Sequence, residues 1–204
     1  MSSNVVGAEG YAENAAQMIE RWENMSFSDL HGDVAHLFPK MPSLILDLGA
    51  GSGRDAAALA EMGHSVVAVE PVDELRNFGS TRHRSSRIEW VDDSLPDLNV
   101  VRSMNLAFDV AMLTAVWMHL DASERIHAMR HLSSLLLAGG HALMTIRHGL
   151  VPAGRHMFEV TDEETVQLAA DCGLRCVYSE TTGSIQESNR NQGVTWTRLA
   201  FRRN

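Results

Sequence analysis

Positive charge is scarce in this 204-residue chain: 17 lysines and arginines stand against 26 aspartates and glutamates, and the formal net charge is −9. A protein that neutralises nucleic-acid phosphates usually presents a basic face, so this balance disfavours DNA or RNA as a partner. The one dense basic segment, "TRHRSSR" with Arg82, His83, Arg84 and Arg87, reads as a solvated loop ahead of a strand. Cysteine is almost absent. Cys172 and Cys176 are the only two, too few for a disulfide scaffold, and a reduced, cytoplasmic setting fits. No run approaches 18 apolar residues, so no membrane span is expected. The opening "MSSNVVGAEG" lacks the charged and apolar regions of a secretory signal. No cluster of His, Cys and Asp has metal-ligand spacing, so no metal site is expected.

What is present is enough apolar residue for one core. At 45% hydrophobic, residues 1–204 read as a single domain. Residues 11–25 place Tyr11, Ala15, Met18, Ile19, Trp22 and Met25 at helical spacing. A second short helix is expected over 29–37, stopped by Pro39. Strand-like runs and helices then alternate: "SLILDL", a helix from Arg54 to a stop at Gly63, "SVVAVE", a helix ending at Gly79, "RIEWV" and "FDVAML". Asp121 with Glu124 forms a capping-box pattern at the head of a helix that Gly139 and Gly140 should end. "HALMTIRH" follows as a fifth strand, then a helix started by Thr161. "LRCVYSE" and "GVTWTRLAF" flank a polar stretch and look like an antiparallel pair. This alternation predicts an α/β fold with a mostly parallel sheet covered on both faces.

The chemistry-bearing stretch is "ILDLGAGSGRD", residues 45–55. A glycine loop behind the first strand of an open α/β sheet lies where ligands bind, beyond the carboxyl ends of the strands. Its spacing is G-x-G-x-G, whereas the dinucleotide fingerprint is G-x-G-x-x-G. Asp47 stands two residues before the first glycine. A carboxylate there repels a pyrophosphate and suits a cationic amine. No Gly-Lys-Ser/Thr follows, which excludes a phosphate P-loop.

These residues resemble the first motif of the class I S-adenosylmethionine-dependent methyltransferases. Four further pieces follow in order: Glu70 closing the second strand, "VDDS" after the third, "FDVAMLTAVWMHL" at the fourth, and "LLLAGGHALM" leading into the fifth, with Ala138 where the family usually has proline. The match covers roughly residues 40–150. It implies a Rossmann-like methyltransferase fold, mostly parallel and seven-stranded with the last strand antiparallel. It also implies residues 1–40 as a helical lid carrying Tyr11 or Trp22, 41–150 as the cofactor-binding core, and 151–204 as the terminal helix and strand pair. The cofactor implied is S-adenosylmethionine, with S-adenosylhomocysteine as product. By resemblance, Gly49, Ala50, Gly51 and Gly53 let the backbone approach it, with Asp47 near its ammonium. Glu70 accepts from the ribose hydroxyls, and Pro71 and Val72 flank the adenine. The Asp92 carboxylate and the Asp93 N–H read the adenine edge. Leu113 and Thr114 offer backbone oxygen to the ammonium.

Methyl transfer is an in-line displacement that needs alignment, desolvation and sometimes a base. The Asn/Asp-Pro-Pro-aromatic turn of many amino-group methyltransferases is absent, and no cysteine stands near the fourth strand. "GSGRDAAALAEMGHSVVAVE" resembles the small-molecule methyltransferases of the tellurite-resistance and thiopurine type. The expected acceptor is therefore a small molecule, anionic or weakly acidic, with His119 as its base and Arg147 as its anchor. Arg155, His156 and Trp196 are further candidates for the pocket. An RNA or protein substrate using 82–87 and the C-terminal arginines, and a silent cofactor-binding module, are the alternatives. The sequence assigns no oligomeric state.

Overall fold

The structure, a computed structural model, describes Val5 and residues 7–204. Seven strands form one sheet: β1 (Leu44–Leu48), β2 (Ser65–Val69), β3 (Ile88–Val91), β4 (Phe108–Thr114), β5 (Leu136–His148), β6 (Leu174–Gly183) and β7 (Thr195–Arg203). Their order is β3-β2-β1-β4-β5-β7-β6. The pairs from β3 through β5 are parallel, and β7 inserts antiparallel between β5 and β6. The order reverses between β1 and β4, which places the switch point beside the glycine loop.

Alternation along the strands builds two cores. Leu46, Leu48, Val67, Val69, Ala111 and Leu113 point to one face, and Ile45, Val66, Ala68, Val110 and Met112 to the other. The first face is covered by α5 (Asn99–Ser103), α6 (Ala122–Leu135) and α7 (Asp162–Asp171), through Val101, Ala128, Met129, Leu132 and Ala169. The second is covered by α3 (Arg54–Glu61), through Ala56 and Leu59, and by the segment containing Phe27, Val34 and Phe38. Strands buried on both faces read as nearly continuous apolar runs, which is why "SLILDL" and "SVVAVE" were recognisable.

Local signals held at several ends. Asp121 and Glu124 form the reciprocal capping box of α6, and the Thr161 side chain caps α7. Other ends moved. α1 covers Ala15–Glu23 only, and the second helix divides into α2 (Phe27–His31) and a 3₁₀ stretch over Gly32–Leu37. Gly139 and Gly140 lie inside β5, next to a register shift against β4, rather than after a helix. The helix expected to stop at Gly79 runs on as α4 (Asp73–Arg82).

Gly79 is there for packing. A Cβ at this position would lie 2.2 Å from a ring carbon of Trp90 and 2.9 Å from the Ser52 carbonyl oxygen. Helix propensity alone makes Gly→Ala favourable by about 1 kcal/mol. The clash reverses that sign, because overpacking costs about 1–3 kcal/mol. Gly79→Ala should therefore lower the denaturant midpoint, and a raised midpoint would show that Trp90 gives way easily.

Candidate active site

A cavity of about 490 Å³ opens at the carboxyl ends of β1, β2, β4 and β5. Asp47, Glu70, Thr114 and Arg147 line it from those four strand ends, and His119 from the turn after β4. Gly49, Ala50, Gly51, Pro71, Val72 and Asp93 also line it. Gly53, Asp92 and Leu113 do not. Leu113 is fully buried in the core. Gly53 holds φ 85° at the head of α3, and a Cβ on it would strike Trp90 at 2.6 Å. Asp92 sits 3.5 Å from Arg76, outside the lining. The Asp93 carboxylate accepts the backbone N–H groups of Ser94, Val100 and Val101, so its side chain holds the start of α5.

Two carboxyls define the cavity floor. Glu70 is only 4% exposed; its two oxygens accept from the Gly51 and Val72 backbone N–H groups at 2.8 Å each. That ties the glycine loop to the end of β2 and still leaves lone pairs for a ligand hydroxyl. Burial pushes the Glu70 carboxyl up to about 7, against those two hydrogen bonds and the Arg76 charge. Asp47 is more extreme. Its Oδ2 is buried without a hydrogen-bond partner. Burial, and then the charge of Asp55, push it up to about 8. Burial also acts on Asp55, but His31 and Arg54, at 3.0 and 2.8 Å, hold it well below the usual carboxylate range. Asp55 is thus ionised and satisfied, whereas Asp47 awaits a cation.

Tyr11, Met18 and Trp22 of the N-terminal segment line the cavity as well. Trp22 lies over Gly51, where a Cβ would come within 3.0 Å of its ring. Arg54 donates to the Trp22 carbonyl, and Ser52 Oγ donates to Glu23 at 2.6 Å. Tyr11 meets His119 instead of the glycine loop. His119 Nδ1 lies 2.7 Å from the His156 carbonyl oxygen, which can only accept, so Nδ1 carries the hydrogen. Nε2 is then the lone pair that receives the Tyr11 hydroxyl at 3.0 Å. Burial, and then the Arg155 charge beyond the opposing His156 hydrogen bond, leave His119 below its ordinary value, so it is neutral at pH 7. Arg155 stacks on the Tyr11 ring, 3.6 Å from its centroid. The helical spacing of residues 11–25 pointed to Trp22. Nothing in the sequence marked Glu23, Ser52 or the His31–Asp55–Arg54 cluster, whose members meet only on folding.

Arg147 stands apart electrostatically. Among the described residues only two arginines are buried, Arg125 and Arg147. Arg125 pairs with Glu164 at 2.7 Å. Arg147 is 9% exposed and donates only to the Leu150 carbonyl, with no carboxylate partner among the described residues.

Residues 45–140 match the family model described as a methyltransferase domain. That match spans 96 of the 204 residues, the stretch from β1 into β5. Human glycine N-methyltransferase is 28% identical to it over 142 residues, covering 58% of this chain and 48% of the human protein. The chain spans about half the length of the curated relatives it matches. Among solved structures, a 1,6-didemethyltoxoflavin N1-methyltransferase from Burkholderia thailandensis aligns with TM-score 0.70 at 20% identity, over 95% of this chain and 85% of that one. A TehB-like methyltransferase from Corynebacterium glutamicum aligns with TM-score 0.67 at 22% identity, over 95% and 98%. The fold is thus the Rossmann-like one of these methyltransferase structures, as the glycine loop and its four companion motifs implied. No helix among the described residues is long and apolar enough to cross a membrane.

Proposed function

We propose that this chain transfers a methyl group from S-adenosylmethionine to a small anionic acceptor. The observation that carries the cofactor reading is the pair of buried carboxyls, Asp47 and Glu70, facing one cavity across the glycine loop. An unpartnered buried carboxylate oxygen fits an ammonium. A buried carboxylate fixed by two backbone donors, with lone pairs left over, fits a ribose diol. Pro71, Val72 and Leu95 give apolar walls beside Glu70 for a base. Bound there, the cofactor supplies a methyl already activated by a sulfonium.

The chain's own residues do the rest. Arg147, buried and without a carboxylate, would hold the acceptor's negative charge, since guanidinium pairs with carboxylate through two N–H groups. Tyr11, with His119 behind it, covers the nucleophile and takes its proton. Tyr11 and Trp22 of the N-terminal segment would shield the reacting groups from water, which strengthens charge interactions inside. The two unpaired cysteines fit the cytoplasm as the setting.

Calorimetry with S-adenosylhomocysteine tests the cofactor reading. Micromolar binding with no binding of NAD is expected, and the reverse result would refute it. Glu70→Ala should weaken adenosylhomocysteine binding by about 1–3 kcal/mol, because a charged acceptor is lost. Unchanged affinity would remove Glu70 from the site.

A further inference from the structure

Arg147, Trp196 and Thr182 stand at one level of the sheet. β5 and β7 pair Arg147 with Trp196, and β7 and β6 pair Trp196 with Thr182. Directly opposed residues share a face of the sheet, and neighbouring strands are about 4.8 Å apart. All three line the cavity. One step along, Arg198 is neutralised: it pairs with Asp33 at 2.6 Å and donates to the Leu30 carbonyl. Arg147 has no such counter-charge.

Trp196 is open in a different way. It is half-buried, with its inner side against the core. Trp117, fully buried, donates its indole N–H to Thr165. The Trp196 indole makes no hydrogen bond and no ring contact with the described residues. The Thr182 hydroxyl also lacks a hydrogen-bond partner among the described residues. Pro152, Met157 and Ile185 add apolar surface to the cavity lining.

A guanidinium beside an open indole suits an acid carried on a flat ring. The carboxylate satisfies the fork of N–H groups, and the ring covers the indole. An aliphatic acid would leave the indole uncovered. A neutral arene would leave a buried charge unpaired, which is the costlier failure. Resting on the methyl-transfer reading above, we infer that the acceptor is an aromatic carboxylic acid, seated with its carboxylate on Arg147 and its ring on Trp196.

The test titrates benzoate, acetate and benzyl alcohol into the protein, both saturated with S-adenosylhomocysteine and free of it. Benzoate should bind at least tenfold more tightly than either of the others. Arg147→Met should lose at least tenfold for benzoate and leave benzyl alcohol unchanged. Arg147→Lys, which keeps the charge without the fork, should lose an intermediate factor and guards against a variant that does not fold. Trp196→Leu should bring benzoate to the level of acetate and leave acetate unchanged. Equal affinity for acetate and benzoate overturns the inference. So does benzoate binding that survives Arg147→Met, or the binding of none of the three probes. Failure to bind adenosylhomocysteine would refute the cofactor reading alone, because the titrations into cofactor-free protein still decide the acid-binding lobe.

Discussion

Affinity for S-adenosylhomocysteine should rise at least tenfold from pH 6 to pH 8 and level off above it. The cause is the pair of raised carboxyls. Without ligand, Asp47 holds its proton up to about pH 8 and Glu70 to about pH 7. A bound ammonium favours the ionised form of Asp47, so binding releases a proton wherever the ligand-free group still carries one. Each such group limits the gain to about tenfold per pH unit. Calorimetry in two buffers of different ionisation enthalpy should therefore show proton release at pH 7. Asp47→Asn should flatten most of the pH dependence and weaken binding at pH 8. A flat wild-type profile, or proton uptake, would show that Asp47 does not meet the ammonium.

The same pair sets a stability trend in the ligand-free protein. Both folded values lie above the unfolded ones. Their contribution is complete below about pH 4 and is lost as the pH rises through 7 and 8. Asp55 runs the other way. Its folded value is depressed, so its contribution is present at neutral pH and lost only in acid. In the window from pH 6 to pH 8 the raised pair dominates among these three. Adenosylhomocysteine should accordingly raise the melting temperature more at pH 8 than at pH 6.

The parts of this site legible in the sequence were those made of short chain segments. The glycine loop, Asp47 and Glu70 lie at the ends of two apolar runs, so their proximity follows from βαβ topology. The β6–β7 pairing was visible because a polar stretch separated two strand-like runs, whereas the insertion of β7 beside β5 was not. What was not legible depends on contacts across the chain. The Asp93 backbone N–H read as an adenine contact, but nothing local showed that its carboxylate caps α5, a five-residue helix too short to show periodicity. Gly53 read as part of the ligand cradle, and Gly79 as a helix stop. Both leave room for Trp90, which no local pattern reveals. His119 read as a free base. Only the folded chain shows its lone pair held by a residue 108 positions earlier.

That contact redirects the proton route and carries the largest kinetic prediction. While Tyr11 donates to His119 Nε2, the imidazole has no lone pair for the acceptor. On the methyl-transfer reading proposed above, the group that would meet the nucleophile is the Tyr11 oxygen. With S-adenosylmethionine bound to supply the activated methyl group, the acceptor's proton would pass to Tyr11 Oη. The phenol's own proton passes to His119 Nε2, while the Nδ1–H stays on the His156 carbonyl. The imidazole would then carry the positive charge, beside Glu9, whose charge favours it. General acid–base groups contribute about 10²–10⁴-fold, so Tyr11→Phe and His119→Gln should each lower kcat by about that factor. Both should leave adenosylhomocysteine affinity nearly intact. Two groups in one relay are not additive, so the double variant should be no slower than the worse single one. In the wild type, kcat should fall in acid as His119 takes a proton, with a midpoint below 6.5 because burial depresses it. That limb should vanish in His119→Gln. If the two losses multiply in the double variant, or the acid limb survives without His119, Tyr11 and His119 act separately and the relay is wrong.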